Sequence, residues 1–200
     1  MDKAHPLSSP IIVRSFNVNK DPFRPRMSDE ELIGHEVPYL SVIGVLMYLA
    51  SHTRPDISFA VNLLARYSFS PTKRHWNKLH IFRYLQGTMD MGLYYPYVCE
   101  AELIGYADVR YISDPHNGRS QTGYVFTYGG TTISWRSMKQ TFIATSINHS
   151  EIIVVYEASR ECVWLRSIMH YIRESCGLLV NKNSPTILYE DNACLYCAIK

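Results

Sequence analysis

The sequence has no Gly-x-Ser-x-Gly nucleophile elbow, no Walker-type phosphate loop and no dinucleotide-binding glycine fingerprint. Serine-hydrolase, P-loop and Rossmann chemistry are therefore left without a motif, and no small-molecule cofactor is expected. Charge of one sign is also lacking: 20 Lys and Arg stand against 18 Asp and Glu, a formal net charge of +2. Bulk electrostatics alone gives no reason to expect a polyanionic partner. Cysteine is scarce and odd in number, five in 200 residues. That is not the density of a disulfide scaffold, and reduced thiols in a cytoplasmic or nuclear setting are expected. Cys194-x-x-Cys197 has no second Cys pair to complete a zinc site. No long hydrophobic run exists either. The most apolar stretch, Tyr39 to Ala50, is too short for a bilayer that needs about 20 residues, and it predicts a helix buried all round. The first twenty residues hold no continuous apolar segment of the secretory kind, so neither a signal nor a membrane partner is expected.

What is present suffices for a core, with 46% hydrophobic and 19% charged residues. Residues 1–37 carry four prolines and little periodicity, and predict an extended tether. Residues 38–95 predict a helical connector of three helices, opened by Pro38, by Pro55-Asp56 and by Ser70-Pro71, the last ending at Gly87. From 101 to 200 the period changes. Glu102–Asp108 alternates as a strand, Thr122–Tyr128 follows, and Gly129-Gly130 separates it from Thr131–Trp135 as a hairpin signal. Glu151–Glu174 is helical. Its seam runs through Val155, Ala158, Cys162, Leu165, Met169 and Ile172. A short strand at Thr186–Tyr189 precedes a further helix from Asn192. The order is three strands, a helix, a strand and a helix, an α/β pattern.

Three acids occupy comparable places: Asp108 at the end of the first strand, Glu151 at the start of the long helix, and Asp191 after the last strand. Each has a structural explanation. Asp108 suits a turn, Asn148-x-x-Glu151 suits a capping box, and Asp191 suits a helix cap. Together they suggest more. Glu151 extends the inward seam of its helix, where burial disfavours charge. Clustered carboxylates raise one another's pKa. The common remedy is a hard divalent cation, Mg²⁺ or Mn²⁺, with oxygen ligands, as in two-metal phosphoryl-transfer sites.

The segments GYADVRYISDPHNGRSQTGYVFTYGG, ISWRSMKQ, INHSEIIVVYEASRECVWLRS and LYEDNACLYCAIK resemble the ribonuclease H region of copia-type retrotransposon polyproteins, especially those of plants. The upstream stretch from Tyr39 to Thr88 resembles the connector between their reverse transcriptase and that domain. The resemblance runs from about Asp2 to Lys200. It implies a ribonuclease H-like mixed sheet with flanking helices, C-terminally truncated, because such folds continue to another strand and helix. It implies that Asp108, Glu151 and Asp191 are both catalytic and metal-binding. It further implies hydrolysis of the RNA strand of an RNA–DNA hybrid, and a reverse transcriptase portion of the same polyprotein as a partner. A non-catalytic RNA- or hybrid-binding remnant, or a gene fragment with no selected activity, is the alternative. Arg110 stands where many relatives have a second acid, and His149 where many have Glu.

One local charge excess remains. Ile57 to Met89 holds no acid, while Arg66, Lys73, Arg74, Lys78 and Arg83 lie within it. Arg74 and Lys78 are like charges one turn apart, which phosphate would relieve. Lys73, Arg74, Lys78 and Arg83 are thus the candidate nucleic-acid-binding residues, against the plain reading of a solvated basic face.

Overall fold

The computed structural model describes residues 5–11, 21–34, 36–77, 80–97, 102–178 and 185–192. The chain divides into two compact units, Met1–Leu93 with Pro115–Asn117, and Tyr94–Asp114 with Gly118–Lys200.

The first unit is helical. Helix α1 spans Tyr39–His52, a single 3₁₀ turn spans Pro55–Ile57, and α2 follows at Ser58–Ala65. Pro55 sits at the first helical position, where its missing N–H costs nothing. Tyr39, Ile43, Leu46 and Ala50 of α1 step by three and four into a core shared with Ile57, Val61, Leu63 and Leu64. Tyr39 Oη donates to Leu64 O at 2.9 Å, so the buried phenol is satisfied. Two expectations change here. Helix α1 is buried on one face rather than all round, since its apolar Leu40, Val45, Met47 and Tyr48 are exposed. The expected third helix is two short ones, α3 at Lys73–Asn77 and α4 at Ile81–Gly87. Helix α3 is held by tertiary bonds of Arg74 and His75 and by Trp76, which packs against the same core. The stretch read as a tether is also partly core. Phe23 is fully buried within the same cluster, and Asp21 Oδ1 accepts its N–H at 3.0 Å.

The second unit is a mixed α/β domain with a four-stranded sheet in the order β3-β2-β1-β4. Strands β1 (Leu103–Asp114), β2 (Arg119–Tyr128) and β3 (Thr131–Lys139) form an antiparallel meander. Strand β4 (Ile187–Tyr189) lies parallel to β1, with Gly105 opposite Leu188. Gly129 and Gly130 both have positive φ, 58° and 82°, as a two-residue primed turn requires. Gly105 serves close packing. A Cβ there would meet Phe126 Cε1 at 2.5 Å and Leu188 Cδ1 at 2.7 Å, so only glycine lets these two side chains converge. Helix α5 (Ile147–Ser175) covers one sheet face, where Leu103, Ala107, Val109, Tyr124 and Phe126 meet Val154, Ala158 and Leu165. Val155, Cys162 and Met169 flank this contact, whereas Ile172, at the far end of the expected seam, is 52% exposed. Among the described residues no helix is long and apolar enough to cross a membrane.

Candidate metal centre

The site is built at the start of α5. Ser146 is the N-cap: its Oγ accepts the His149 N–H at 3.1 Å. Asn148 is therefore inside the helix, and the capping-box reading of Asn148 and Glu151 does not hold. Asn148 Oδ1 instead accepts from Asn192 Nδ2 at 3.3 Å. Gln140, buried just after β3, donates from Nε2 to Ser150 O at 3.0 Å and to Thr122 Oγ1 at 3.2 Å. This amide fixes the first turn of α5 against the sheet, and with it the residue that follows Ser150.

That residue is Glu151, only 5% exposed. Its Oε2 is buried without a hydrogen-bond partner. A carboxylate in that state is costly unless something outside the protein's own hydrogen bonds offsets it. Around it stand more acids. Carboxylate oxygens of Glu151, Glu190 and Asp191 lie within 4.8 Å of one another. Burial, then the charges of Glu190, Asp108 and Asp191 in that order, push the Glu151 carboxyl up to about 7.

The structure thus brings two of the three sequence-derived acids, Glu151 and Asp191, into one set with Glu190. Asp108 does not belong to that set, although its charge acts on Glu151. It also lies mid-strand rather than at a strand end: β1 continues to Asp114, with Asp108 exposed and opposite Gly123. Sequence reasoning passes over Glu190. Its signal was position alone. Leu188 packs on the α5 core, and two residues further on, alternation keeps Glu190 on that side. Gln140 was likewise missed, because its function depends on a carbonyl of another element.

The basic candidates fare differently. Arg74 is occupied within the first unit. Its Nε and Nη2 donate to Glu30 at 3.0 and 2.8 Å, its Nη1 to Pro22 O at 2.7 Å, and both Nη atoms to Arg24 O at 3.1 Å. The residue read as a phosphate ligand is a clamp on residues 22–30, a fork geometry that only Arg offers. Arg83 Nε donates to His5 O at 2.8 Å. Lys73 is exposed. Lys78 lies outside the described residues, as do Cys194, Cys197 and most of the helix expected from Asn192.

Fold and site together define a mixed α/β domain with a half-buried carboxylate cluster at the end of its parallel strand. Comparison with known proteins gives the lineage. Over 170 residues, 84% of this chain, it is 36% identical to the Retrovirus-related Pol polyprotein from transposon TNT 1-94 of Nicotiana tabacum. Over 155 residues, 77% of the chain, it is 36% identical to that from transposon RE2 of Arabidopsis thaliana. The matched segments make up 13% and 10% of those polyproteins. A third relative, the Secreted RxLR effector protein 161 of Plasmopara viticola, is 42% identical over 130 residues, which are 64% of this chain and 92% of that protein. No family model matches, and no solved structure does. The chain belongs to the copia-type retrotransposon Pol polyprotein family and is similar to its plant members.

Proposed function

We propose that the second unit is a ribonuclease H-type domain that hydrolyses the RNA strand of RNA–DNA hybrids with divalent cations, Mg²⁺ or Mn²⁺. One observation carries this reading: Glu151 is buried with an unpartnered oxygen among acids, a state that fits a hard cation with oxygen ligands. The sheet order β3-β2-β1-β4, with β4 parallel to β1, supports the ribonuclease H-like assignment. Glu151 and Asp191 would hold the cations, and Asp108 would complete the set from β1. When bound, such cations supply Lewis acidity toward the attacking water and the leaving oxygen of a phosphodiester. The chain's own part is to hold the carboxylates. Gln140 and the Ser146 cap fix Glu151, and the β1 ladder fixes Asp108. Selection for RNA would come from the 2′-hydroxyl in a wide minor groove. Lys73, Lys78 and Arg83 are the cations proposed to track phosphate, with Arg74 withdrawn from that list. The reverse transcriptase portion of a longer polyprotein is the proposed protein partner.

The test is cleavage of a labelled RNA–DNA hybrid by the chain with Mg²⁺ or Mn²⁺, beside a DNA duplex control. Metal-dependent cleavage of the hybrid alone, abolished by Asp108→Asn, is the expected result. Asn keeps the size of Asp but loses the charge. Hybrid binding without cleavage, in a chain shown to be folded, would replace this reading with that of a non-catalytic binding remnant.

A further inference from the structure

Helix α5 turns Val154, Ala158 and Leu165 to the sheet. On its opposite side Tyr156, Val163, Trp164 and Tyr171 stand between 56% and 72% exposed. The solvent side of a helix is ordinarily polar. The three aromatic side chains can bury about 150–250 Å² each, and at these exposures they leave on the order of 400 Å² in water. That already equals the largest apolar patch usual on a monomer. It is about half of the roughly 800 Å² that each partner brings to a standard interface. Two charges interrupt the stripe. Arg160, whose guanidinium lies 5.9 Å from the centre of the Tyr156 ring, and Glu174 are both exposed. About four turns and roughly 21 Å of helix separate them, too far for a pair within one chain. Ser167 lies midway between them in sequence, and at about 100° per residue it falls on the same line along the helix. It is small, and its Oγ donates to Val163 O at 3.0 Å within the helix. Its hydroxyl therefore needs no outside partner, and another backbone can come close there.

We propose that the outer face of α5 is a docking surface for a second copy of this chain, the two helices packing antiparallel about a two-fold axis at Ser167. Charge complementarity selects both the occupant and the direction. A two-fold axis at Ser167 sets position 160 of one copy against position 174 of the other. Arg160 then meets Glu174 of the partner subunit, and the symmetry makes this pair twice. Val163 meets Tyr171 of the partner subunit in the same way, and Trp164 supplies an aromatic anchor of the kind that dominates interface energies. A parallel pair would set Arg160 against Arg160 and Glu174 against Glu174 inside an apolar stripe, like charges that desolvation makes worse. The antiparallel contact is self-complementary, so it closes at two copies and leaves no open end. This surface shares no residue with the carboxylate cluster, and it stands or falls separately from the function proposed above.

The experiment is sedimentation equilibrium of the full chain over a range of concentrations, with circular dichroism to verify the fold of each variant. The wild-type chain should show a concentration-dependent equilibrium between monomer and dimer. Arg160→Glu and Glu174→Arg should each raise the dimer dissociation constant about tenfold or more, because each sets like charges against one another. Mixed in equal amounts, the two variants should regain the wild-type dissociation constant, since every contact then joins opposite charges. The double variant Arg160→Glu, Glu174→Arg should regain it too. Should a charge reversal fail to fold, Trp164→Ala carries the test, with a loss of tenfold or more expected from removing an aromatic anchor. A wild-type chain that stays monomeric at every concentration overturns the proposal. So does a dimer indifferent to the charge reversals or to Trp164→Ala, because its contact then lies elsewhere. Weakening by both single reversals with no recovery in the mixture or the double variant overturns the antiparallel pairing of Arg160 with Glu174.

Discussion

Glu30 in the first unit and Glu151 in the second are both carboxylates drawn partly or wholly out of water, and they are treated in opposite ways. Glu30 receives the fork of Arg74 and a hydrogen bond from Arg24 at 2.8 Å. The hydrogen bond from Arg74 above all, with the Met27 N–H and the two guanidinium charges, holds its carboxyl down at about 2. Glu151 receives burial and three acids, and is pushed up to about 7. Glu30 is neutralised within the first unit. In the second unit Glu151 stands among acids, two of which, Asp108 and Asp191, are also marked by family resemblance. A self-neutralised cluster is what a fold requires. A cluster with unmet charge is what a cation site requires, because a site already satisfied by the protein has nothing left to offer an ion.

The largest effect comes from breaking the satisfied side. Arg74→Ala removes the fork to Glu30 and the donors to the carbonyls of Pro22 and Arg24, leaving Arg24 as the guanidinium still bonded to Glu30. Breaking a buried pair costs about 3–5 kcal/mol. Since Arg74 and Glu30 keep 17% and 19% exposure, about 3 kcal/mol is expected from urea unfolding. Arg74→Lys should recover only part of it, for want of the fork. A loss under about 0.5 kcal/mol, ordinary for surface positions, would make Arg74 an exposed cation after all and return it to the phosphate-binding set.

The two carboxylates also predict opposite pH dependences in chelator, each on the order of 3 kcal/mol at full extent. For Glu30 the folded pKa lies below the ordinary 4.5. Its stabilisation is fully present above about 5 and is lost as pH falls through about 2. For Glu151 the folded pKa lies above 4.5. Its ionisation destabilises the folded chain progressively between about pH 4.5 and 7, and fully above that. Urea midpoints of Glu30→Gln and Glu151→Gln across pH 3–8 check this. Relative to wild type, Glu151→Gln should gain stability as pH rises toward 8. Glu30→Gln should lose stability at neutral pH and approach wild type in acid. Parallel profiles for the two variants would show that Glu151 is neutralised from within the protein, and the cation argument would lose its basis.

Much of this contrast could be read in the sequence, and the unread part has a common cause. The hairpin at Gly129-Gly130 and the α5 periodicity, its far end at Ile172 excepted, depend on local pattern, while the parallel return of β4 to β1 is what the family resemblance implies. Glu151 stood out because it lay on an apolar seam. Glu190 and Gln140 did not, since one gains its meaning from a neighbouring strand's register and the other from a carbonyl on α5. Phe23 could not be placed in the core from a proline-rich, aperiodic stretch: it is fixed by tertiary packing and a turn at Asp21. The ion pair of Arg74 with Glu30 escaped the sequence for the same reason. A run without acids in sequence says nothing about an acid 44 residues away folding back onto it.

The smallest effect separates the cations that the fold uses from those it leaves to solvent. Lys73 adjoins Arg74 in α3 but is exposed. Lys73→Ala should therefore change stability by no more than about 0.5 kcal/mol, against the several-fold larger loss for its neighbour. If the exposed cations of this unit track phosphate, that substitution should lower the salt dependence of hybrid binding by about one unit of log–log slope, with the fold untouched. Fluorescence anisotropy with a labelled hybrid between about 50 and 200 mM salt spans a range in which one phosphate contact changes affinity measurably. The decisive outcome is the pairing of the two readouts. A reduced slope at constant stability assigns Lys73 to nucleic acid, because a solvated lysine has no reason to change the number of counterions released. An unchanged slope removes Lys73 from the phosphate-tracking set, because exposure alone then does not make a cation of this unit a phosphate contact.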